Sequence, residues 1–431
     1  MSHRPVIREE LAFLGTCDIS GQVRGKGIPA SDLAERSHRA VGWTPTNVMI
    51  TAFGTIGETP FGALGDVMLS PDRMAEMRVD FEDGGPVERL ILCDIRNADG
   101  SPWSCCPREF LRRALARLEA AAGLSVLAGF EQEFAYTGVE GDGGNRYWLD
   151  AFRRQGAFGE TYVAALKQAG LEPECFLAEF GMQQYEVTCA PTIGISAADQ
   201  AVMIRELARA TAHRFGHRAV FSPIIDVDGV GNGVHIHLSL RDRSGRSVAY
   251  DPARPYGLSQ TGAAFAAGIL HHMPALCAVT APSVISYIRM TPNRWAPTVA
   301  NVAIQDRAAS LRICPIFETP GGDPQRQFNL EYRPADAAAS PYLALGAVVN
   351  AGCEGLESGM TLLLPEDAER LAKPLPRSLA QALDLLEATP QARVWFGGTL
   401  LDAYLKHKRG EIALIEKLTP AEQCARYARL Y

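Results

Sequence analysis

The stretch GFEQEFAYTG, residues 129–138, decides how this chain is read. Its aromatic residues recur at a period of two, the period of a β-strand. Phe130, Gln132, Phe134 and Tyr136 then share one face, and Glu131, Glu133, Ala135 and Thr137 share the other. Two carboxylates leave the same strand in the same direction. Side by side in a low-dielectric setting they repel, so either one takes up a proton or a cation sits between them. The stretch asks for a metal.

Further segments repeat the pattern. In MQQYEVTC (182–189), Gln184, Glu186 and Thr188 alternate with Tyr185, Val187 and Cys189; in GVHIHLSL (233–240), His235, His237 and Ser239 alternate with Val234, Ile236 and Leu238. In NLEYRP (329–334), Glu331 and Arg333 stand against Leu330 and Tyr332, and Glu179 precedes Glu186 by seven residues. Each strand packs one face on a core and turns metal-capable groups to the other, as an antiparallel sheet lining a wet cavity does. A lone E-x-E or H-x-H pair is commonplace, so it is the joint occurrence that carries the reading. With Arg307, Arg312 and Arg333, these groups describe hard cations facing a polyanion, the composition of a Mg²⁺ or Mn²⁺ phosphoryl-transfer centre with room for two ions. A carboxylate-rich, thiolate-free set disfavours zinc. There is no GxxxxGK[ST] stretch, so no Walker loop holds the phosphates. The glycines of GVGNG (229–233) read as a tight turn that lets backbone approach a small substrate, or taken in isolation equally as a plain hairpin turn.

A chain of 431 residues exceeds one ordinary core, and 47% hydrophobic content suffices for two. Residues 11–105 read as short strands and turns, whereas CPREFLRRALARLEAAAGL opens a helix with proline near its start and glycine at its end. This places a β-rich domain at 1–104 and a larger domain at 105–431. Further helices are expected at SAADQAVMIRELARATAHRF, with Ser196 capping its first turn, at SPYLALGAVVNAGCEGLES and at RSLAQALDLLEA. A net charge of −7 without a long basic run gives no reason to expect nucleic acid or an anionic membrane as partner. The start, MSHRPVIREE, lacks an apolar signal core, and the apolar stretch from Gly262 to Ile288 is interrupted by His271, His272, Pro274 and Pro282, so no membrane span is expected. The ten cysteines form neither a small disulfide scaffold nor a CxxC pair, which fits reduced thiols in the cytoplasm.

The ordered series FEQEF, EFGMQQYE, GNGVHIHLSL, SYIRM, QDRAASLRI and NLEYRPADAAASPYLALGAVVNAG resembles the glutamine synthetase superfamily over roughly residues 10–410, and CDISGQVRGKGIPASDL resembles that family's small N-terminal domain. The resemblance implies an α+β fold: a β-grasp domain, then a catalytic domain with a curved antiparallel sheet and flanking helices. It implies that Glu133, Glu179 and Glu186 hold a first metal ion and that Glu131, His235 and Glu331 hold a second. His237, Ser239, Arg312 and Arg326 would face ATP, and Gly231, Arg289 and Arg333 would meet L-glutamate. Arg307, shared between γ-phosphate and glutamate, and Trp295 are the catalytic candidates. The family reaction activates the γ-carboxylate of glutamate as an acyl phosphate, from which an amine displaces phosphate. The family's stacked rings further imply a homo-oligomer, a dodecamer with sites between subunits.

The departures concern the amine. In family members that use ammonia a flap glutamate lies six residues past the S-Y-x-R arginine, and here that count from Arg289 reaches Trp295. The ammonium-binding aspartate would fall near Ala52, where there is none. Losing carboxylates and gaining an indole suggests a bulkier or more apolar amine. The resemblance is thus to the branch making γ-glutamyl amides of organic amines, with glutamine synthetase proper and a catalytically idle relative as alternatives; Glu58 could replace the missing acid. The idle relative predicts lost metal ligands, and all are present. The tyrosine-bearing adenylylation segment of bacterial glutamine synthetases is absent from LLLPEDAERLAKPLPRSL (362–379).

Overall fold

The computed structural model describes residues 7–33, 40–62, 65–139, 146–317, 320–363, 367 and 372–431. Within the last segment singled out above, residues 364–366 and 368–371 lie outside the described residues, as do residues 1–6 of the N-terminus.

The first sheet is built from β1 (Leu11–Cys17), β2 (Val23–Pro29), β3 (Val41–Trp43), β4 (Val67–Val79) and β5 (Glu88–Asn97), in the order β2-β1-β5-β4-β3. β1 and β5 run parallel in its middle, and the other pairings are antiparallel. β4 is 13 residues long, more than the short strands expected, and its register shifts between Pro71 and Glu76. A bulge there is where a strand can absorb a proline that has no N–H to give.

Helix α1 (Pro107–Ala122) follows with proline in its first turn and Gly123 at φ 66° closing it, as the sequence predicts. Its Arg108 is buried and donates to Asp199, Asp94 and Asp72, which ties β4 and β5 of the first sheet to Asp199, more than a hundred residues further along the chain. The other long helices are α2 (Gly156–Gln168), α3 (Ile195–Arg214), α4 (Gln260–Thr280), α5 (Pro341–Glu357) and α6 (Gly398–Ile415). Ser196 does not cap α3: the helix already starts at Ile195, after Gly194 at φ 68°, so the serine lies inside the first turn rather than ahead of it. Helix α4 is long and apolar enough to cross a bilayer, but it is largely buried in the protein against α5. The two helices touch through small residues: a Cβ on Gly355 would sit 2.0 Å from the Ala264 carbonyl oxygen. All ten cysteines are free, and only Cys175 is exposed.

The second sheet carries the chemistry. Its strands are β6 (Ser125–Thr137), β7 (Pro173–Ala178), β8 (Gln184–Cys189), β9 (Thr192–Ile193), β10 (Arg218–Val220), β11 (Val234–Arg241), β12 (Val302–Ile304), β13 (Leu311–Ile313) and β14 (Leu330–Tyr332). The path runs β12-β13-β14-β11-β6-β8-β7, with β9 and β10 also pairing with β6. The expected antiparallel sheet is in fact mixed, because β12 and β13 are parallel. Asn301 clasps Ser310 by backbone and side-chain bonds, so the chain bulges out through Arg307 and returns beside the beginning of β12 rather than its end. On the apolar side of β6, Phe130, Phe134 and Tyr136 are buried; the Phe134 ring lies 6.1 Å from Phe158 of α2 and 5.2 Å from Phe221.

Candidate active site

Register decides which polar side chains meet. Glu131 lies opposite His235, Glu133 opposite Glu186, and Glu331 opposite both His237 and Arg312. All stand on the face of the sheet turned away from α2. The acids and histidines of four separate strands thereby form one band across β14, β11, β6 and β8, with Arg312 of β13 at its edge.

Glu131, His235 and Glu331 offer ligand atoms that all lie within 4.8 Å of one another, the metal-capable cluster found among the described residues. His235 Nδ1 is 3.0 Å from Glu131 Oε2 and 3.5 Å from Glu331 Oε1, while His237 Nε2 is 3.0 Å from Glu131 Oε1. Glu331 is almost fully buried; Arg312 Nη1 donates to its Oε2 at 2.7 Å, and Arg333 pairs with its Oε1. Burial pushes the Glu331 carboxyl up, but His235, Arg333 and His237 outweigh it and hold it down at about 2. Glu131 behaves likewise: burial opposes its charge, and His237 and His235 pull its pKa well below the usual range.

Glu133, Glu179 and Glu186 line one cavity together but do not cluster as tightly. Gly233 N–H and Gln184 Nε2 donate to Glu133 Oε2 at 2.6 and 3.1 Å. Tyr147 O–H donates to Glu179 Oε2 at 2.8 Å. Burial, then the charges of Glu131, Glu133 and Glu179, raise the Glu186 carboxyl well above its ordinary value; burial and Glu133 raise Glu179. Oxygen donors that penalise one another's charge, beside one imidazole, suit hard divalent cations.

The cavity they share, about 490 Å³, also draws lining from Gly231, Arg289, Trp295, Arg307 and Arg333. Arg289 and Arg333 are buried, whereas Arg307 is exposed on its loop. Arg289 donates to the Pro334 carbonyl at 3.3 Å, which holds its guanidinium beneath the cavity floor. The GVGNG glycines bring backbone up to this arginine: a Cβ on Gly231 would meet Arg289 Cγ at 2.6 Å, and one on Gly233 would meet Arg289 Nη2 at 2.8 Å. Trp295, at φ 59° and 59% exposed, stands on the rim 6.0 Å from the Phe180 ring, and its carbonyl accepts from Arg333 Nη2 at 3.4 Å. Arg294 pins that flap by donating to the carbonyls of Gly229 and Val227. Glu58 does not reach the cavity of its own chain; it pairs with Lys406 at 3.0 Å.

Across Glu131 lies a second cleft of about 270 Å³, lined by His237, Ser239 and Arg326 together with Arg241 and Asn329. Arg312 is not part of that lining and stays tied to Glu331. Burial pulls His237 down, but Glu131 and Cys314 outweigh this and raise it well above the usual imidazole value.

Two family models cover nearly the whole chain: the glutamine synthetase N-terminal domain matches residues 3–103 and the glutamine synthetase catalytic domain residues 104–427. The chain belongs to the glutamine synthetase family. It is 31% identical to the gamma-glutamylpolyamine synthetase GlnA3 of Streptomyces coelicolor, over 97% of this chain and 93% of that one. It is 29% identical to a glutamine synthetase of Thermococcus kodakarensis, over 91% of this chain and 87% of the relative. A solved structure described as a novel glutamine synthase homolog superposes with a TM-score of 0.94 at 40% identity, covering 100% of both chains.

As a member of this family the chain is an ATP-dependent glutamate ligase that forms a carbon–nitrogen bond, and the donor set described above fits the divalent metals such ligases use. Sequence reasoning missed several residues here. Arg241 continues the two-residue spacing of His235, His237 and Ser239, so the alternation could have found it. Tyr147, Arg294 and Cys314, whose sulfur lies 3.7 Å from Glu331 Oε2, carry no local signal.

Proposed function

We propose that this ligase joins the γ-carboxylate of L-glutamate to an organic amine. The observation that carries the reading is Trp295: an indole stands at the rim of the acid-lined cavity, against Phe180, where ammonia-using relatives present a flap carboxylate. In this reading Arg289, Arg333 and the backbone at Gly231 grip glutamate in the larger cavity. His237, Ser239 and Arg326 serve ATP from the cleft across Glu131, Arg312 acts on it from its place against Glu331, and Arg307 reaches over the junction to the γ-phosphate. Divalent ions held by Glu133, Glu179 and Glu186 and by Glu131, His235 and Glu331 would supply charge neutralisation for the moving phosphoryl group.

The chain's own groups do the rest. Arg307 and Arg333 stabilise the charge that builds on phosphate and carboxylate. When the amine nitrogen bonds to the acyl carbon, the bond to the phosphate oxygen breaks, phosphate leaves, and the cavity carboxylates take the amine's surplus proton. None of the described residues before Glu131 lines the acid-lined cavity. That open side supports the further proposal that residues 1–104 form a domain that closes a neighbour's site, with 105–431 as the catalytic domain, in a cytoplasmic homo-oligomer of the family's dodecameric kind.

A second reading, glutamine synthetase proper, is favoured by the likeness to the archaeal glutamine synthetase. Phosphate release from ATP with glutamate and Mg²⁺ or Mn²⁺ separates the two when ammonium, methylamine, ethanolamine, putrescine, spermidine and an aromatic amine are compared. An organic amine as best acceptor is the expected result; ammonium as best acceptor would replace the proposal with the second reading.

A further inference from the structure

Beside the acid-lined cavity lies a shallower cleft of about 280 Å³, walled by Tyr147, Trp148, Leu149, Phe152 and residues 176–178. The two spaces share Tyr147 and Leu177, so they adjoin. Tyr147 stands at the junction, its hydroxyl on Glu179 and its ring in the cleft. Tyr147, Trp148, Leu149 and Phe152 are between 44% and 62% exposed. Aromatic and aliphatic surface gathered in this way and left in water marks a place where something apolar docks.

The charges around the cleft narrow what that is. Among the described residues, its lining contains no Asp or Glu. The short helix Leu149–Arg154 ends on Arg153 and Arg154, and Asp150, its acid, is engaged by Arg154 at 3.7 Å. Arg146 stacks over Phe180 at 5.5 Å on the near side. Among the described residues that line the cleft, a second ammonium would find no carboxylate to pair with, whereas a hydrocarbon group loses only its contact with water.

We propose that this cleft is a tail subsite, which makes the acceptor a primary monoamine bearing an aryl-alkyl or branched alkyl group. The amine head lies among the carboxylates beside Glu179, and the tail passes Tyr147 to pack on Leu149 and Phe152. The inference rests on the amine-ligase reading and gives the acceptor its class, which differs from the polyamine named for the Streptomyces relative.

The test is amine-dependent phosphate release by the full chain with ATP, glutamate and Mg²⁺, comparing 2-phenylethylamine, isopentylamine, methylamine and putrescine. The tailed monoamines should give the highest kcat/KM. Leu149→Asp and Phe152→Asp, both at partly exposed positions, should lower the phenylethylamine-to-methylamine ratio about tenfold and raise the putrescine-to-methylamine ratio. The ratios are internal, so partial loss of folded enzyme does not move them. Putrescine as the preferred acceptor of the unsubstituted chain, or ratios unmoved in both variants, would overturn the tail subsite. So would an Asp variant that changes oligomer size by light scattering while leaving the ratios alone, since the cleft would then be covered by a second copy. Trapping with hydroxylamine separates this failure from that of the parent reading: γ-glutamyl hydroxamate formed without tail selectivity sinks the subsite alone. Absence of both hydroxamate and phosphate release sinks the two together.

Discussion

Replacing Gly231 with alanine tests how the cavity floor is built. The added Cβ would lie 2.4 Å from the Pro223 carbonyl oxygen and 2.6 and 2.8 Å from Cγ and Cδ of Arg289. The backbone has little freedom to yield, because Asn232 N–H donates to that same carbonyl at 2.8 Å and Gln184 Nε2 donates to the Gly231 carbonyl at 2.9 Å. To regain an ordinary contact of 3.4 Å the Cβ and the Pro223 oxygen have to part by about 1.0 Å and Arg289 has to retreat by about 0.8 Å, so both the turn and the guanidinium beneath it shift. Displacing a substrate-positioning group by about 1 Å costs on the order of a hundredfold in rate. The expected result is a fall of about a hundredfold in kcat/KM for glutamate, with overpacking lowering stability by about 1–3 kcal/mol. ATP affinity should hold, since the His237 cleft lies on the other side of Glu131. Gly229→Ala is the control, because its Cβ would meet nothing closer than the Asp226 carbonyl oxygen at 3.4 Å. The assay is phosphate release against glutamate concentration for both variants, with thermal unfolding alongside. If Gly231→Ala stays within about threefold of the unsubstituted enzyme, Arg289 is not positioned by this glycine and the account of the floor is wrong.

Glu331→Gln removes the charge that Arg312 and Arg333 share; leaving buried cations uncompensated should cost about 3–5 kcal/mol in unfolding experiments, together with weakened Mn²⁺ binding by titration. An unchanged melting temperature would refute that electrostatic account. Burial, reinforced by His271, depresses His272 to about 4 from its ordinary 6.5. The stability it contributes is present above pH 6.5 and lost as the pH falls toward 4, about 3 kcal/mol in all. His272→Gln should flatten the acid side of the stability–pH curve, and parallel curves for the two proteins would show that His272 is not responsible. Trp295→Glu places a carboxylate on the flap and should shift acceptor preference toward ammonium by about tenfold in the ratio of kcat/KM values; an unmoved ratio would remove Trp295 from the specificity argument.

Much of the site could be read along the chain because a strand's side-chain period is local. The alternation in 129–138 alone puts Glu131 and Glu133 on one face, and the same rule found Glu186, His235, His237 and Glu331. What periodicity cannot supply is partnership. That Glu331 sits between Arg312 and His237 follows from the pairing of β14 with β13 on one side and β11 on the other, which joins residues far apart in the chain. The Ser196 cap failed for a related reason: cap chemistry is a weak local preference, and Gly194, at positive φ ahead of Ile195, set the cap of α3 two residues earlier.

By itself, then, the sequence determined the strand faces, the extent of α1 between its proline and glycine, and the ordered motifs of the glutamine synthetase family, with an indole six residues past Arg289. These are legible because each is written in neighbouring residues. Tertiary structure alone decided the parallel pairing of β12 with β13 that throws out the Arg307 loop, the service of Gly231 to Arg289, and the place of Tyr147 between the acid-lined cavity and the apolar cleft. Each depends on register and close approach between distant segments, which are set by the packing of the whole core and leave no mark on the local pattern.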